Sequence, residues 1–209
     1  MNKYTVYYTI RREVSSDIKV KGSKFIGYIK SVNTLEQAEK YIDFISSQNY
    51  NATHNCTAYK VGRGDKAVYR YNDDGEPSGT GGKPILDVIE AQKLTNIVAV
   101  VTRYFGGTKL GTGGLSRAYR HCAEKTINNA DKRELYPTKI LLINFPYELT
   151  GIVMELIEKF TCKIISTKYD TATVLKLKVK QKQSDEFKNF LVDKTGGKVT
   201  IKEEENEFT

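Results

Sequence analysis

The sequence contains few of the residue types on which most catalytic and metal sites depend. Its 209 residues include only two histidines and three cysteines. Three scattered cysteines do not make a disulfide framework, so we expect Cys56, Cys122 and Cys162 to be reduced thiols packed in a core. No Ser-His-Asp or Cys-His triad is evident, which leaves any acid–base chemistry to carboxylates or to Cys56. We therefore assign no catalytic residue.

Both histidines lie close to a cysteine in the sequence, which raises the question of a zinc site. A tetrahedral site would need about four nitrogen or sulfur ligands. The pairs His54-x-Cys56 and His121-Cys122 lack the usual spacing of zinc ligands, and Cys122 falls on the apolar stripe of a predicted helix. We expect neither a metal nor a cofactor.

Long apolar runs are also missing. No stretch approaches the roughly 20 residues that a helix needs to cross a bilayer. The N-terminal segment MNKYTVYYTIRREV alternates between apolar and polar residues and does not have the continuous apolar region of a secretory signal. These absences argue against a membrane protein and make the cytoplasm the default expectation.

Positive charge is present but unevenly distributed. The net charge is +8, and residues 1–135 contribute 21 Lys and Arg against 14 Asp and Glu, whereas residues 136–209 contribute 12 against 11. All eight arginines lie in the first part. Because a guanidinium grips phosphate or carboxylate with two parallel hydrogen bonds, the first part is the better candidate for binding a polyanion. The alternative for any single arginine is an ordinary solvated surface charge.

Strand and helix patterns alternate through the first part of the chain. Thr34 and Gln37 form a capping-box pattern that begins a helix. The run IVAVV within Asn96–Phe105 is apolar on both faces, as in a central buried strand. The other predicted elements are strands at Thr5–Val14, Phe25–Val32, His54–Val61 and Ala67–Tyr71, a helix with Pro84 in its first position, and a helix at Leu115–Asn129.

A boundary is predicted near Glu134–Pro137, which gives domains 1–134 and 135–209. The second domain has the order βαββαβ of a ferredoxin-like fold. The tail EEENEFT is expected to be frayed. The predicted elements are Lys139–Phe145, Glu148–Phe160, Cys162–Lys168, Thr173–Val179, Ser184–Thr195 and Lys198–Lys202.

The first of two glycine-rich stretches, YNDDGEPSGTGGKP, covers residues 71–84 and leads into a predicted helix. Its small residues permit positive φ angles and close backbone approach, so its N–H groups could converge on an anion at the helix start. Its acids could instead hold a hard cation, although their spacing is not that of an EF-hand. The simplest interpretation is a turn whose carboxylates cap backbone N–H groups and pair with Arg70 or Arg103. The acids concerned are Asp73, Asp74 and Glu76.

The second stretch follows the buried strand, and five of the residues from 106 to 114 are glycine. Backbone N–H groups, the positive end of the next helix and Lys109 together would make an anion cradle. It is not a Walker A loop, because Leu110 follows the lysine, and it does not fit the dinucleotide-binding pattern. The alternative is a strand-to-helix turn that merely needs glycine. Aromatic residues beside arginines, such as Tyr104, could stack on bases or could be half-buried packing residues.

Taken together, these segments resemble the central motif pair of the IMPACT/YigZ family. The motif pair reads YNDDGEPSGTGGKPILDVIE and NIVAVVTRYFGGTKLGTGGLSRAY, and the upstream runs KGSKFIGYI and ATHNCTAY also fit. One departure is Gly81, where many members have alanine. The C-terminal half resembles the small ferredoxin-like domain that bacterial members append, which is similar to the last domain of elongation factor G.

The resemblance implies an α+β fold. Its N-terminal domain would resemble the second domain of a small-subunit ribosomal protein, with a mixed sheet and helices packed on one face. The resemblance also implies a link to translation, because the eukaryotic relatives regulate a translational stress kinase by competing for its activator. It implies no settled activity for the bacterial members.

The leading hypothesis is a non-enzymatic cytoplasmic protein that acts in translation by binding RNA, the ribosome or a ribosome-associated protein. It requires both glycine-rich stretches to fold side by side into one positively charged pocket. The first alternative is an enzyme or ligand-binding protein that holds a phosphorylated small molecule on the Gly106–Gly114 loop, and the second is a purely structural interaction module. The sequence does not indicate the oligomeric state. The candidate binding residues are Asp74, Glu76, Ser78, Thr80, Arg103, Tyr104, Gly106, Gly107, Lys109, Gly111, Gly113, Gly114, Arg117 and Arg120.

Overall fold

The computed structural model describes residues 6–204, which form two compact units. The first spans Tyr7–Leu135, and the second comprises Val6 and the residues from Tyr136 onward. Each unit contains its own cluster of buried apolar side chains. Among the residues described, no helix combines the length and the apolar character that a membrane crossing requires.

The first unit is built on a five-stranded sheet with the order β2-β3-β6-β4-β5, and a separate two-stranded ribbon pairs β1 with β7. Every strand pairing in the sheet is antiparallel. The elements are β1 (Tyr7–Ile10), β2 (Val14–Val20), β3 (Ser23–Ser31), α1 (Leu35–Gln48), β4 (His54–Val61), β5 (Val68–Asn72), α2 (Gly82–Ala91), β6 (Ile97–Tyr104), α3 (Gly111–Asn128) and β7 (Lys132–Leu135).

Helices cover both faces of this sheet. Alternate residues of β6 point to opposite sides, so Ala99 and Val101 pack with α2 and α3, whereas Val98 and Val100 pack with α1. All four side chains are at most 3% exposed. Burying one aliphatic side chain contributes about 1.5–3 kcal/mol, so β6 anchors the helices on both sides.

The α+β class is confirmed, but two details of the expected N-terminal domain are wrong. The sheet is antiparallel rather than mixed, because the strand pairs joined through α1 and α2, which run parallel, are each separated by an antiparallel strand. The helices do not all pack on one face, since α1 lies opposite α2 and α3. The physical reason is the sequence of β6, which is apolar on both faces and therefore needs cover on both.

Several boundaries differ from the sequence predictions. The strand predicted at Thr5–Val14 is interrupted after Ile10, and its first residue lies outside the described residues. The strand β7 was not predicted. The helix α3 begins at Gly111 rather than Leu115, so the last glycines belong to its first turn. Pro84 is the third residue of α2 rather than the first.

The second unit has the strand order β11-β8-β10-β9, all antiparallel, which confirms the ferredoxin-like βαββαβ prediction. Its helices pack on one sheet face around Phe145, Leu177 and Phe187. Of the tail predicted to fray, residues 203 and 204 belong to β11, and residues 205–209 lie outside the described part. The elements are β8 (Thr138–Phe145), α4 (Thr150–Lys159), β9 (Lys163–Tyr169), β10 (Thr173–Lys180), α5 (Gln181–Lys194) and β11 (Thr200–Glu204).

Candidate functional site

The first glycine-rich segment, residues 72–82, wraps around one of its own carboxylates. Asp73 Oδ2 accepts a hydrogen bond from Gly79 N–H at 2.8 Å. Asp73 Oδ1 accepts from Gly81 N–H at 2.9 Å and Gly82 N–H at 2.8 Å. The carboxylate thus caps the start of α2, where N–H groups have no partner within the helix. The backbone that could have held an external anion is therefore occupied by the chain itself.

Asp74 ties the same segment to β4. Its backbone is left-handed, with φ of 47°, and the following Gly75 has φ of 83°. One carboxylate oxygen of Asp74 accepts from Asn55 N–H at 2.6 Å, and its carbonyl oxygen lies 2.6 Å from His54 Nδ1. These bonds hold the turn against the sheet.

Glu76 connects the first segment to the second. Its Oε1 accepts from Arg103 Nη1 at 2.6 Å and from the Tyr119 hydroxyl at 2.8 Å. Glu76 is 7% exposed and Arg103 is 5% exposed. Arg103 is the penultimate residue of β6 and Tyr119 lies on α3, so one buried carboxylate links the strand and the helix that flank residues 105–110.

Arg103 is enclosed on further sides. Its guanidinium carbon lies 5.6 Å from the ring centroid of Phe25 and 5.5 Å from that of Phe105. Its Nε is buried without a hydrogen-bond partner. The charge of Arg103 is therefore neutralised by Glu76 and shielded by aromatic rings, and its structural role is to brace the end of β6.

These contacts confirm the interpretation of the first stretch as a turn whose carboxylates cap backbone N–H groups and pair with an arginine. They also correct the picture of one uniformly positive pocket. Arg103 pairs with Glu76, and Arg120 Nη2 lies 3.2 Å from Asp87 Oδ2. Two of the four predicted cationic residues are thus neutralised by acids that lie far away in sequence.

The second segment, residues 105–114, begins with a close contact between two backbone segments. A Cβ atom on Gly106 would lie 1.8 Å from the carbonyl carbon of Gly22, so only glycine fits at this position. The N–H of Gly106 donates to Ser23 Oγ at 3.2 Å. This contact places the turn between β2 and β3, with Lys21 and Lys24, beside the loop.

Beyond Gly106 the segment is open. Gly107 and Gly111 have φ of 86° and 68°, and no atom lies within 4 Å of a Cβ built on either. The residue before α3, Leu110, has no side chain that could cap the helix. Residues 111–113 are exposed, and no side chain in the described part of the chain accepts a hydrogen bond from the first-turn N–H groups of α3, unlike those of α2.

Lys109 and Arg117 are the exposed cations of this segment. Neither has a carboxylate partner in the part of the chain that the structure describes. An Arg117 guanidinium nitrogen lies 3.4 Å from the Cβ position of Gly113, so this side chain extends back toward the start of α3. Both charges therefore lie near the open N–H groups.

Three other predicted residues have different surroundings. Ser78 is exposed. Thr80 is 6% exposed and its hydroxyl donates to the carbonyl oxygen of Pro77 at 2.6 Å. Tyr104 points to the opposite side of the sheet from Arg103, where its hydroxyl donates to Asn49 Oδ1 at 3.0 Å. The predicted residues thus lie in one unit but not on one surface.

The cysteine and histidine pairs that raised the zinc question remain separate. Within residues 6–204 no cluster of three or more His, Cys, Asp or Glu side chains is arranged to hold a metal. The Cys56 thiol donates to the carbonyl oxygen of Asp73 at 3.1 Å, and burial raises its pKa to about 12. A thiol with this pKa is protonated at neutral pH and is a poor nucleophile. A Cβ on Gly81 would lie 2.3 Å from Cys56 Sγ, so the two residues pack as a unit.

Sequence reasoning missed the contribution of the β2–β3 turn to the surface around the loop. The run KGSK was noted only as part of the family resemblance. Its glycine and its lysines are meaningful only once Gly22 is known to contact Gly106, and no local pattern indicates a contact between residues 84 positions apart.

The comparisons with known proteins agree with this architecture. A family model described as the Impact N-terminal domain matches residues 21–127, and one described as a domain of unknown function (DUF1949) matches residues 143–198. The chain is 35% identical to "IMPACT family member YvyE" of Bacillus subtilis, over 95% of this chain and 91% of that protein. It is 30% identical to "IMPACT family member YigZ" of Escherichia coli, over 88% and 90%.

A crystal structure described as that of a hypothetical protein is also similar. The two structures have a TM-score of 0.70 and 27% sequence identity, and the match covers 97% of this chain and 98% of the other. The first family model spans both glycine-rich segments and the Glu76 link between them. This chain therefore belongs to the IMPACT family.

Proposed function

We propose that this chain is a non-enzymatic protein of the translation apparatus that binds ribosomal RNA through the glycine face, defined as residues 106–117. The observation that carries the proposal is the open start of α3. It combines unpaired backbone N–H groups with two cations, Lys109 and Arg117, that lack a carboxylate partner among the described residues. Phosphate is the anion that such an arrangement recognises best.

The loop of the glycine face is held rigidly at both ends, which favours binding. The buried bonds of Glu76 to Arg103 and Tyr119 hold the strand and helix on either side of the loop. A loop anchored at both ends loses less conformational entropy on binding than a free loop does. The glycines between the anchors allow a ribose–phosphate backbone to approach closely.

The enzymatic alternative has less support from the geometry. Its acid–base residues were to be Asp73, Asp74 or Glu76, and each already accepts hydrogen bonds from the protein. The thiol of Cys56 is held in its protonated form by burial. These groups act as braces, so the proposal includes neither a catalytic residue nor a cofactor.

Family membership supports the link to translation, and cytoplasmic location is part of the same proposal. We treat residues 1–134 and 135–209 as separate domains. The first domain carries the recognition surface, and the second adds contacts to the same partner. Because the two domains are covalently linked, binding of the first raises the effective concentration of the second at that partner.

The test is co-sedimentation with purified ribosomes across a salt series. Binding through phosphates weakens by orders of magnitude between about 50 and 200 mM salt when several contacts form. The double variant Lys109→Ala/Arg117→Ala should weaken binding and reduce the slope of log K against log salt by roughly 1.4, because each contact to single-stranded RNA contributes about 0.7.

The matched control is Lys93→Gln/Lys194→Gln, which removes two exposed cations that are not part of residues 106–117. The control should reduce the slope of log K against log salt by no more than a few tenths. If the glycine-face variant and the control behave alike, the proposal is wrong. If a phosphorylated metabolite raises the melting temperature and ribosomes do not bind, the small-ligand alternative is correct.

A further inference from the structure

The helix α1 covers only part of its sheet face. Its buried side chains pack on β4 and β6, around Tyr59, Val98 and Val100. The strand register places Tyr28 opposite Val100, and Lys24 opposite Tyr104, on this same face. Since directly paired residues share a face, β3 and the edge strand β2 extend the α1 face beyond the helix.

Two lysines face each other on this uncovered part. Lys19 of β2 is directly opposite Lys24 of β3, and both are exposed. Neither forms a salt bridge with another residue in the described part of the chain. Like charges directly opposite each other on paired strands destabilise a sheet. A bound anion between them would remove this repulsion.

Two tyrosines lie on the same sheet face as the lysines. Tyr104 is directly opposite Lys24, and Tyr28 lies four residues further along β3. The hydroxyls of Tyr28 and Tyr104 both donate to Asn49 Oδ1, at 3.4 and 3.0 Å. Their rings are therefore held along the sheet and remain partly exposed. A groove of about 630 Å³ continues from Tyr28 to Phe44 of α1, whose side chain is 55% exposed.

The acids nearby do not cancel the lysines. Glu13 is occupied by Lys30, at 3.4 Å, and by the Tyr41 hydroxyl, at 2.8 Å. Asp17 lies on the same face, two residues before Lys19 and diagonal to Lys24, but it forms no salt bridge with either lysine in the described part of the chain. Positive charge is therefore concentrated at the end of the face that adjoins Gly106, where the glycine face begins.

We propose that this surface binds single-stranded RNA, with a phosphate between Lys19 and Lys24 and with bases stacked on Tyr104 and Tyr28. We call these four residues the sheet platform. The proposal rests on the proposed function in that RNA is the partner of both surfaces. Stacking on tyrosine requires unpaired bases, so the platform specifies a single strand where the glycine face specifies only phosphate. An acidic peptide would need the lysines but not the tyrosine rings.

The experiment measures fluorescence anisotropy of a labelled oligouridylate of about 12 nucleotides, within the usual site size for single-strand binding. Tyr104→Leu should weaken binding roughly tenfold, whereas Tyr104→Phe, which keeps the ring, should stay within about twofold. Lys19→Gln/Lys24→Gln should reduce the salt slope by up to about 1.4. The control remains Lys93→Gln/Lys194→Gln, and thermal melting of each variant confirms that it is folded.

Three results would contradict the proposal for the sheet platform. Equal affinity of wild type and all platform variants would overturn it, as would tighter binding of a duplex of the same length. Binding of polyglutamate that depends on the lysines, without binding of RNA, would assign the surface to an acidic protein partner. The two proposals fail separately, because Lys109→Ala/Arg117→Ala removes the glycine face and leaves the platform intact.

Discussion

The two glycine-rich segments have similar composition and opposite structural roles. In residues 72–82 three glycine N–H groups are bonded to the carboxylate of Asp73, and the acids that follow pair with the sheet, an arginine and a tyrosine. In residues 106–114 the N–H groups beyond Gly106 lack a side-chain cap and face the solvent. Glycine permits both arrangements. The difference is an internal acceptor. The first segment has one, Asp73, and therefore acts as a brace, whereas the second has no such acceptor and is available to a ligand.

The largest expected effect comes from removing the link between the two segments. Glu76→Ala leaves the charge of Arg103 buried without its partner and removes the acceptor of the Tyr119 hydroxyl. Breaking a buried ion pair on one side costs about 3–5 kcal/mol. We expect urea unfolding to show a loss of this size in the stability of the first unit.

The control for this variant is Glu36→Ala, which removes an exposed carboxylate that lies 2.7 Å from Lys40. Exposed helix pairs contribute only about 0.3–0.5 kcal/mol. Equal losses of stability in the two variants would mean that the hydrogen bonds of Glu76 do not stabilise the first unit. The two segments would then not differ in role as described above.

The second prediction compares one glycine from each segment. A Cβ on Gly82 would lie 2.5 Å from the backbone oxygen of Asn72, so Gly82→Ala forces the backbone apart and should cost about 2–3 kcal/mol. A Cβ on Gly113 meets only the flexible end of Arg117, at 3.4 Å. Since alanine is favoured over glycine within a helix, Gly113→Ala should raise stability by about 0.5–1 kcal/mol.

Both changes add one methyl group to the first turn of a helix, so each serves as the control for the other. Thermal unfolding monitored by circular dichroism would report both. Destabilisation of similar size in the two variants would show that residues 111–114 are packed against something and are not an open surface.

Local signals predicted much of the fold. The bounds of β4 match the predicted strand His54–Val61, and Gln37 N–H donates to Thr34 Oγ1 at 3.2 Å, as the capping-box pattern indicated. Alternating periodicity and the βαββαβ order were sufficient for the second unit. The early start of α3 was missed because glycine has a low helix propensity, and the first turn of α3 is rich in glycine.

Long-range pairing could not be predicted from spacing. The ribbon of β1 and β7 joins the first and last residues of the first unit in the sequence. The position of Lys19 directly opposite Lys24 depends on strand register. The partners of the candidate arginines were equally hidden. Glu76 was one of three acids in its turn that could have faced Arg103, and Asp87 lies on α2, opposite Arg120 on α3.

The third prediction is a pH dependence of stability that arises from Cys56, whose thiol contacts the first segment. Burial raises the pKa of the Cys56 thiol from its ordinary value of 9.0 to about 12, and the protonated thiol donates to the carbonyl oxygen of Asp73. The unfolded thiol ionises near pH 9 while the folded one does not. The contribution of Cys56 is therefore intact below pH 9 and is lost as the pH rises towards 12. At pH 10 the loss amounts to about 1.4 kcal/mol.

The measurement is the free energy of unfolding at pH 8 and pH 10 for wild type and for Cys56→Ala. The variant lacks the thiol, so its loss between the two pH values should be smaller than that of wild type by about 1.4 kcal/mol. Other groups titrate equally in both proteins and cancel in the difference. The second segment contains no thiol, so Lys109→Ala/Arg117→Ala should keep the wild-type dependence. Identical losses in wild type and Cys56→Ala would show that folding does not raise the pKa of the Cys56 thiol, which would contradict its burial against Asp73.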